Sequence, residues 1–138
     1  MPVLLNPYLT LTGTAREAMT LYQSVFGGEL SVMTYGDMGA EGDLASLVMH
    51  SQLTSADGVA LMASDIGPGE VVDHGTTVRL SLSGDDEDRL RGWFEALAEG
   101  GEVHVPLEKQ AWGDVFGQCV DRFGIIWLVN IGSAGTPG

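Results

Sequence analysis

Leu5, Leu9 and Leu11 share one parity near the start of the chain, and Asn6, Tyr8 and Thr10 share the other. That is the period of a strand half buried against a core. Thr14 then stands in cap position before AREAMTLYQSVFGG, where Ala18, Leu21, Tyr22 and Val25 recur at helical spacing until Gly27 and Gly28 stop the run. A third element, ELSVMTYG, is rich in strand formers. The Gly- and Asp-rich stretch from Gly36 to Asp43 reads as a mobile loop, and SLVMHSQL and VALMAS read as two strands joined by the turn SADG.

The stretch DIGPGEVVDHGTT has no period, and its core at 67–75 reads as a linker between a first module, 1–66, and a second, 76–132. The pattern then restarts. TVRLSLSG alternates, Asp85 and Asp86 open an amphipathic helix carrying Leu90, Trp93, Phe94 and Leu97, and Gly100-Gly101 ends it. EVHVPLE, DVFGQCVD and IIWLVNI predict three further strands, and the tail at 133–138 is too poor in apolar groups to pack. YLTLTG at 8–13 lies over RLSLSG at 79–84, a displacement of 71 positions. With one added residue the helix faces agree, and with a second GGEL lies over GGEV. DGVALMAS at 57–64 lies over FGIIWLVN at 123–130. The fold class expected is therefore α+β, two modules of order strand, helix, strand, strand, strand. One such module leaves a sheet face bare, so the pair is expected to enclose a cleft lined by Asn6, Tyr8 and Thr10 and by Arg79, Ser81 and Ser83.

Composition narrows the chemistry. Six Lys+Arg against nineteen Asp+Glu give a formal charge of −13 over 138 residues, which opposes binding to a nucleic-acid backbone or an anionic membrane. The single cysteine, Cys119, forms no intrachain disulfide and builds no thiolate zinc site. No apolar run has the length of a membrane span, and Met1 to Thr12 lacks a basic leader, so the expected location is cytoplasmic. Gly-x-Ser-x-Gly, P-loop, CxxC and HExxH signatures are all missing.

The strings NPYLTL, AREAMTLYQSVFGGEL, MTYGDM, LMASD, VRLSLSGDDEDRLR and PLEKQAWGDVFGQCVDRFGIIWLVNI resemble, in type and order, the PhnB-like branch of the vicinal oxygen chelate superfamily. That superfamily includes glyoxalase I, bleomycin-resistance proteins and extradiol dioxygenases. The resemblance covers about residues 4 to 131, and its most specific part is the WGD…DxFGxxW segment. It implies paired βαβββ modules and a homodimer. Members with known chemistry commonly hold a divalent metal with His, Glu or Gln from the first and last strand of each module. Here the matching positions offer Asn6, Pro7 or Tyr8, Val78 or Arg79, Leu61 or Met62, and Trp127 or Leu128 where metal-binding relatives carry a glutamate. None is a strong ligand for a hard or borderline cation, so no cofactor is expected. The label 3-demethylubiquinone 3-methyltransferase, often given to this branch, finds no glycine fingerprint for a nucleotide-like cofactor.

The expected ligand-binding set is Tyr8, Tyr35, His50, Met62, Arg79, Glu108, Gln110, Trp112 and Phe116. His50 shares parity with Val48 and Gln52, and its plain alternative is a solvent-facing histidine. Glu108, Gln110, Trp112 and Asp114 alternate beside a strand end, as a small-molecule pocket would need, or as a surface loop would show. Trp127 joins Tyr8, Tyr35, Met62 and Phe116 as a candidate cavity floor, each equally suited to a core. Arg79, one of six basic residues, is expected to face a carboxylate such as Asp65, Glu108 or Asp114, or the anion of a ligand. The leading function is metal-independent binding of a small molecule. The alternatives are a glyoxalase-like lyase or isomerase with divalent metal on His50, His104 and Glu108, and an assembly module whose cleft is filled.

Overall fold

The protein is described here as a computed structural model covering residues 3–67 and 70–132; the predicted tail at 133–138 lies outside the described residues. The chain divides into two compact units, Met1–Asp73 and His74–Gly138, and the division falls inside the stretch read as a linker. The first unit runs β1 (Tyr8–Leu11), α1 (Ala15–Phe26), β2 (Glu29–Thr34), β3 (Val48–Thr54) and β4 (Ala60–Asp65). The second runs β5 (Leu80–Gly84), α2 (Glu87–Ala98), β6 (Glu102–Lys109), β7 (Val115–Val120) and β8 (Ile126–Ile131). Each unit is a βαβββ module with a four-stranded mixed sheet, ordered β1-β4-β3-β2 in one and β5-β8-β7-β6 in the other. In both, the first strand pairs parallel with the last and the other pairs are antiparallel.

One helix covers one face of each sheet, and the alternation of burial follows from that. Leu11, Leu53, Leu61 and Ala63 are buried beneath Ala18, Met19, Tyr22 and Phe26 of α1. In the second unit Cys119, Trp127, Val129 and Ile131 lie beneath Leu90, Phe94 and Leu97 of α2. Trp127 is therefore core, 1% exposed, with its indole Nε1 donating to Asp121 Oδ2 at 2.8 Å. It does not floor a cavity.

The two modules solve the same turns with different residues. The β3–β4 turn closes with Ser55 N–H donating to Val59 O, and Ser55 Oγ accepts from Asp57 N–H at 3.1 Å. The β7–β8 turn closes with Asp121 N–H donating to Ile125 O, and Asp121 Oδ1 accepts from the N–H groups of Phe123 and Ile125 at 2.8 and 3.1 Å. The glycine entering the second strand is equally constrained in both. A Cβ on Gly28 would run into the carbonyl of Thr54, and one on Gly101 into that of Val120.

Three sequence expectations change. The strand does not reach Leu5, which is 99% exposed; pairing starts at Pro7, whose carbonyl accepts from Met62 N–H and which has no N–H of its own to give. Thr14 occupies the cap position of α1 but makes no side-chain bond there. Instead Asp65, at the end of β4 and 3% exposed, accepts from Ala15 N–H at 3.0 Å and from Val48 N–H at 2.9 Å, placing a carboxylate at the positive end of the helix. In α2 the chain's own Asp86 does this work, accepting from Arg89 N–H. Finally, Leu9 pairs with Ala63 and Leu82 with Val129, so first strands correspond at a displacement of 73 rather than 71. Parity survives a slip of two, which is why sequence matching misses it.

Two outcomes check this packing. Asp65→Ala leaves two buried N–H groups unpaired and is expected to lower the unfolding free energy by about 2–4 kcal/mol in urea titration; a change inside ~0.5 kcal/mol would contradict the role assigned to it. Burial, with the Asp121 charge adding, pushes the Cys119 thiol up to about 11, so the thiol stays protonated at pH 8. Iodoacetamide should fail to label the native protein at pH 8 and should label it readily in denaturant; rapid native labelling contradicts the burial.

Candidate functional site

Strand alternation that buries one set of side chains presents the other set on the face the helix leaves uncovered. On the first sheet that set includes Tyr8 and Thr10 from β1, Met62 and Ser64 from β4, His50 and Gln52 from β3, and Met33 from β2. The Tyr8 Oη and His50 Nδ1 lie 3.2 Å apart, with ring centroids at 5.8 Å. They belong to β1 and β3, with β4 between them, so the two long side chains meet over the strand that carries Met62. Which one donates follows from the imidazole tautomer, and in either case Nε2 has no partner among the described residues. The parity reading of His50 holds with one correction. Val48 is buried at 1%, and the register shifts between Met33 and Thr34 opposite it, so Val48 does not share the face of His50 and Gln52.

Tyr35 lies just beyond β2, half-buried, where Gly36–Met38 and Gly42–Ser46 form two short 3-10 turns. Thr34 and Asp37 close the first of these reciprocally: Thr34 N–H donates to Asp37 Oδ2 at 2.9 Å, and Asp37 N–H donates to Thr34 Oγ1 at 3.1 Å. The same Thr34 N–H holds the Asp37 carboxyl below the usual carboxylate range, with the Thr34 hydroxyl second. The stretch read as a loop is thus built from hydrogen-bonded turns.

On the second sheet the uncovered face carries Ser81 and Ser83 from β5, Leu128 and Asn130 from β8, and Phe116 and Gln118 from β7. Arg79, just before β5, is exposed and donates from Nη1 to Gln118 Oε1 at 3.1 Å. The expected carboxylate partner is not there. Asp65 is committed to two backbone N–H groups of its own unit, Asp114 accepts from Asn130 Nδ2 at 3.0 Å, and among the described residues no carboxylate forms an ion pair with Arg79. Exposure explains the difference: a solvated guanidinium does not need the counter-charge that a buried one demands.

The segment from Glu108 to Asp114 is a hairpin rather than one alternating edge. β6 ends at Lys109, Gln110 N–H donates to Asp114 O at 2.8 Å, and Gly113 N–H donates to Gln110 O at 3.0 Å. Gln110 Nε2 donates to the carbonyls of Glu108 and Phe116, tying the two strands, while Trp112 is 64% exposed at the tip, 6.2 Å from Phe116 between ring centroids. Strand β6 is also irregular, with register shifts on both sides of Val105. His104 and Glu108 are therefore not two steps of a regular strand, and His104 Nε2 lies 3.4 Å from Glu102 Oε2.

Among the described residues no three His, Cys, Asp or Glu side chains converge on a point that would hold a metal ion. Register also gives what the first and last strands carry on the uncovered faces: Tyr8 beside Met62 and Thr10 beside Ser64 in the first unit, Ser81 beside Leu128 and Ser83 beside Asn130 in the second. Neither pair of strands carries an imidazole or a carboxylate there, the groups that bind borderline and hard divalent cations most readily. One feature escaped sequence reasoning altogether. An open groove of about 520 Å³ lies at the edge of the first sheet, lined by Gln23, Gly28, Glu29, Leu30, Ser31, Gln52 and Thr54. It needs β2 to be an edge strand, and strand order is not visible in a single sequence.

Comparison with known proteins agrees with this architecture. Residues 4–129 match the sequence family described as Glyoxalase/Bleomycin resistance protein/Dioxygenase superfamily. Protein PA1353 from Pseudomonas aeruginosa is 35% identical, with a TM-score of 0.86 over 96% of this chain and 99% of its own. Protein YjdN from Escherichia coli strain K12 is 26% identical over 140 residues, 92% of this chain and 94% of its own length. The PhnB protein from Bacillus cereus shares the fold at 23% identity, with a TM-score of 0.71 over 93% of this chain and 98% of its own.

Proposed function

The chain belongs to the glyoxalase/bleomycin resistance protein/dioxygenase superfamily, whose members bind small molecules and often metals; from that premise we propose that it binds a small anionic molecule on the uncovered face of its second sheet, without a metal ion. The observation that carries the reading is Arg79. In a chain with six basic residues and a charge of −13, its exposed guanidinium rests on the neutral amide of Gln118 rather than on a carboxylate. It thus keeps a full charge and free N–H groups for a carboxylate, phosphate or phosphonate, which guanidinium binds in two-point fashion. Ser81, two residues on, offers a hydroxyl to the same head group. Phe116, two residues before Gln118 on β7, and Leu128, which pairs with both Gln118 and Ser81, supply apolar surface for the rest of the molecule.

Nothing in this arrangement calls for bond breaking. Gln118 orients Arg79, Asn130 is held by Asp114, and Gln110 fixes the hairpin that carries Trp112. These are positioning roles, suited to holding a ligand as bleomycin-resistance proteins are expected to do. On the first sheet the Tyr8–His50 pair adds a hydrogen-bonding group beside the strand that carries Met62, the surface for a polar aromatic or carbonyl compound.

The test has two arms. A panel of small carboxylates and phosphonates is screened for a rise in melting temperature, and hits are titrated calorimetrically; Arg79→Gln should weaken binding about 10- to 100-fold, the worth of one charge-assisted contact. Unchanged affinity in Arg79→Gln overturns the assignment of the head group. Protein purified without chelators should carry well under one equivalent of Zn, Ni, Mn or Fe. Stoichiometric metal that disappears in His50→Ala would instead support the lyase or isomerase.

A further inference from the structure

The uncovered face of the first sheet places two thioethers around one imidazole. Met33 on β2 and His50 on β3 are direct cross-strand partners, and Met62 on β4 is paired with Gln52, two residues from His50 on the same face. Directly opposed side chains of an antiparallel pair start about 5 Å apart at Cβ and diagonal ones about 7–8 Å, a span that long side chains close. β3 lies between β2 and β4, so the two methionines approach the ring from opposite sides. Met33 is 41% exposed, and His50 and Met62 are half-buried, which leaves the group open to an ion from solvent.

The ring is held as a metal-binding histidine is held. His50 Nδ1 lies 3.2 Å from Tyr8 Oη, and the tautomer that donates from Nδ1 to the phenol oxygen leaves the Nε2 lone pair available, with no partner among the described residues. Donor chemistry then selects the ion. The four strands of this sheet carry two carboxylates, Glu29 and Asp65. Asp65 is buried on the helix side and bound to two backbone N–H groups, and Glu29 stands four residues from Met33 along β2, about 13 Å away. A surface of charge −13 attracts cations in general, but the donors gathered at this point are sulfur and nitrogen, which are soft and select Cu(I). We propose that Met33, His50 and Met62 form a three-donor site for Cu(I), with Tyr8 as the positioning residue that fixes the imidazole. Two of the three donors lie on β2 and β3 rather than on the first and last strands of the module, and the site is independent of the anion proposed for the second sheet.

Ag(I), equally charged and soft but inert to oxidation under these conditions, is the first probe. The full chain, isotope-labelled at its methionine methyl groups, is titrated with Ag(I) and followed by NMR; the Met33 and Met62 signals should move together and stop at one equivalent, while buried Met19 stays in place. Cu(I), kept reduced with ascorbate and titrated against a chromophoric chelator, should also bind at one equivalent. Met33→Leu and Met62→Leu keep the side-chain volume and remove the sulfur, and each should weaken Cu(I) at least tenfold. Tyr8→Phe should weaken it about 10- to 100-fold, the usual effect of removing a ligand's hydrogen-bond partner, and should shift the His50 ring-nitrogen signals away from the Nδ1–H tautomer. Zn(II) at the same concentration should leave the methionine signals unmoved. Movement of one methionine alone, an equal response at every exposed methionine, unchanged Cu(I) affinity in either leucine variant, or the same signals moving with Zn(II) would each overturn the proposal; unaltered ring-nitrogen signals in Tyr8→Phe would overturn the role of Tyr8.

Discussion

A four-stranded sheet has two faces, and each unit of this chain has one helix to cover them. Everything that looks functional here follows from that inequality. Because strand side chains alternate, covering one face with α1 or α2 commits Leu11, Leu53 and Ala63, or Cys119, Trp127 and Val129, to the core. It leaves Tyr8, His50 and Met62, or Ser81, Gln118 and Leu128, with no helix over them. The helix side is held by apolar burial and by carboxylates that serve the backbone. The other side carries hydroxyls, amides, an imidazole and a guanidinium that the fold itself does not need there.

The internal repeat shows which features the architecture requires and which drifted. Both units keep a glycine against the last carbonyl of the third strand, because no side chain fits there. Both keep a polar acceptor in the last turn, a serine in one and an aspartate in the other. The helix caps parted company. Asp65 reaches α1 from the end of β4, while the corresponding place in β8 is Ile131 and α2 relies on Asp86 next to it. Such exchanges are open to evolution because an orphan N–H requires only an oxygen, whatever strand supplies it.

Strand and helix periods were legible in the sequence because they are local: each of the ten regular elements among the described residues follows a string whose own period marks it, and the duplication shows in Leu9/Leu11, Leu80/Leu82 and the two helix faces. What failed was non-local. The Asp65 cap joins residues 50 apart, and the two-residue slip of the first strands leaves every parity unchanged. The bulges beside Val48 and on both sides of Val105 rotate His50 and His104 relative to their neighbours in ways that even alternation cannot register. Arg79 was legible as an oddity; of its two expected partners, a carboxylate or the anion of a ligand, the first is absent among the described residues, since its exposure depends on its place before an edge strand. Of the nine expected ligand residues, Tyr8, His50 and Met62 do lie together on one sheet face, and Arg79 and Phe116 flank Gln118 on the other. Gln110 spends its amide on the hairpin.

The account stands on the uncovered faces being where chemistry is recognised, with Arg79 as the charged anchor of one of them. The most direct measurement is an amide and guanidinium NMR titration with a small carboxylate or phosphonate that raises the melting temperature. The account predicts that perturbations concentrate on Arg79 Nε and on the amides of Ser81, Phe116, Gln118 and Leu128. Perturbations confined to α2 and the residues beneath it, or a saturating ligand that leaves the Arg79 signal unmoved, would contradict it.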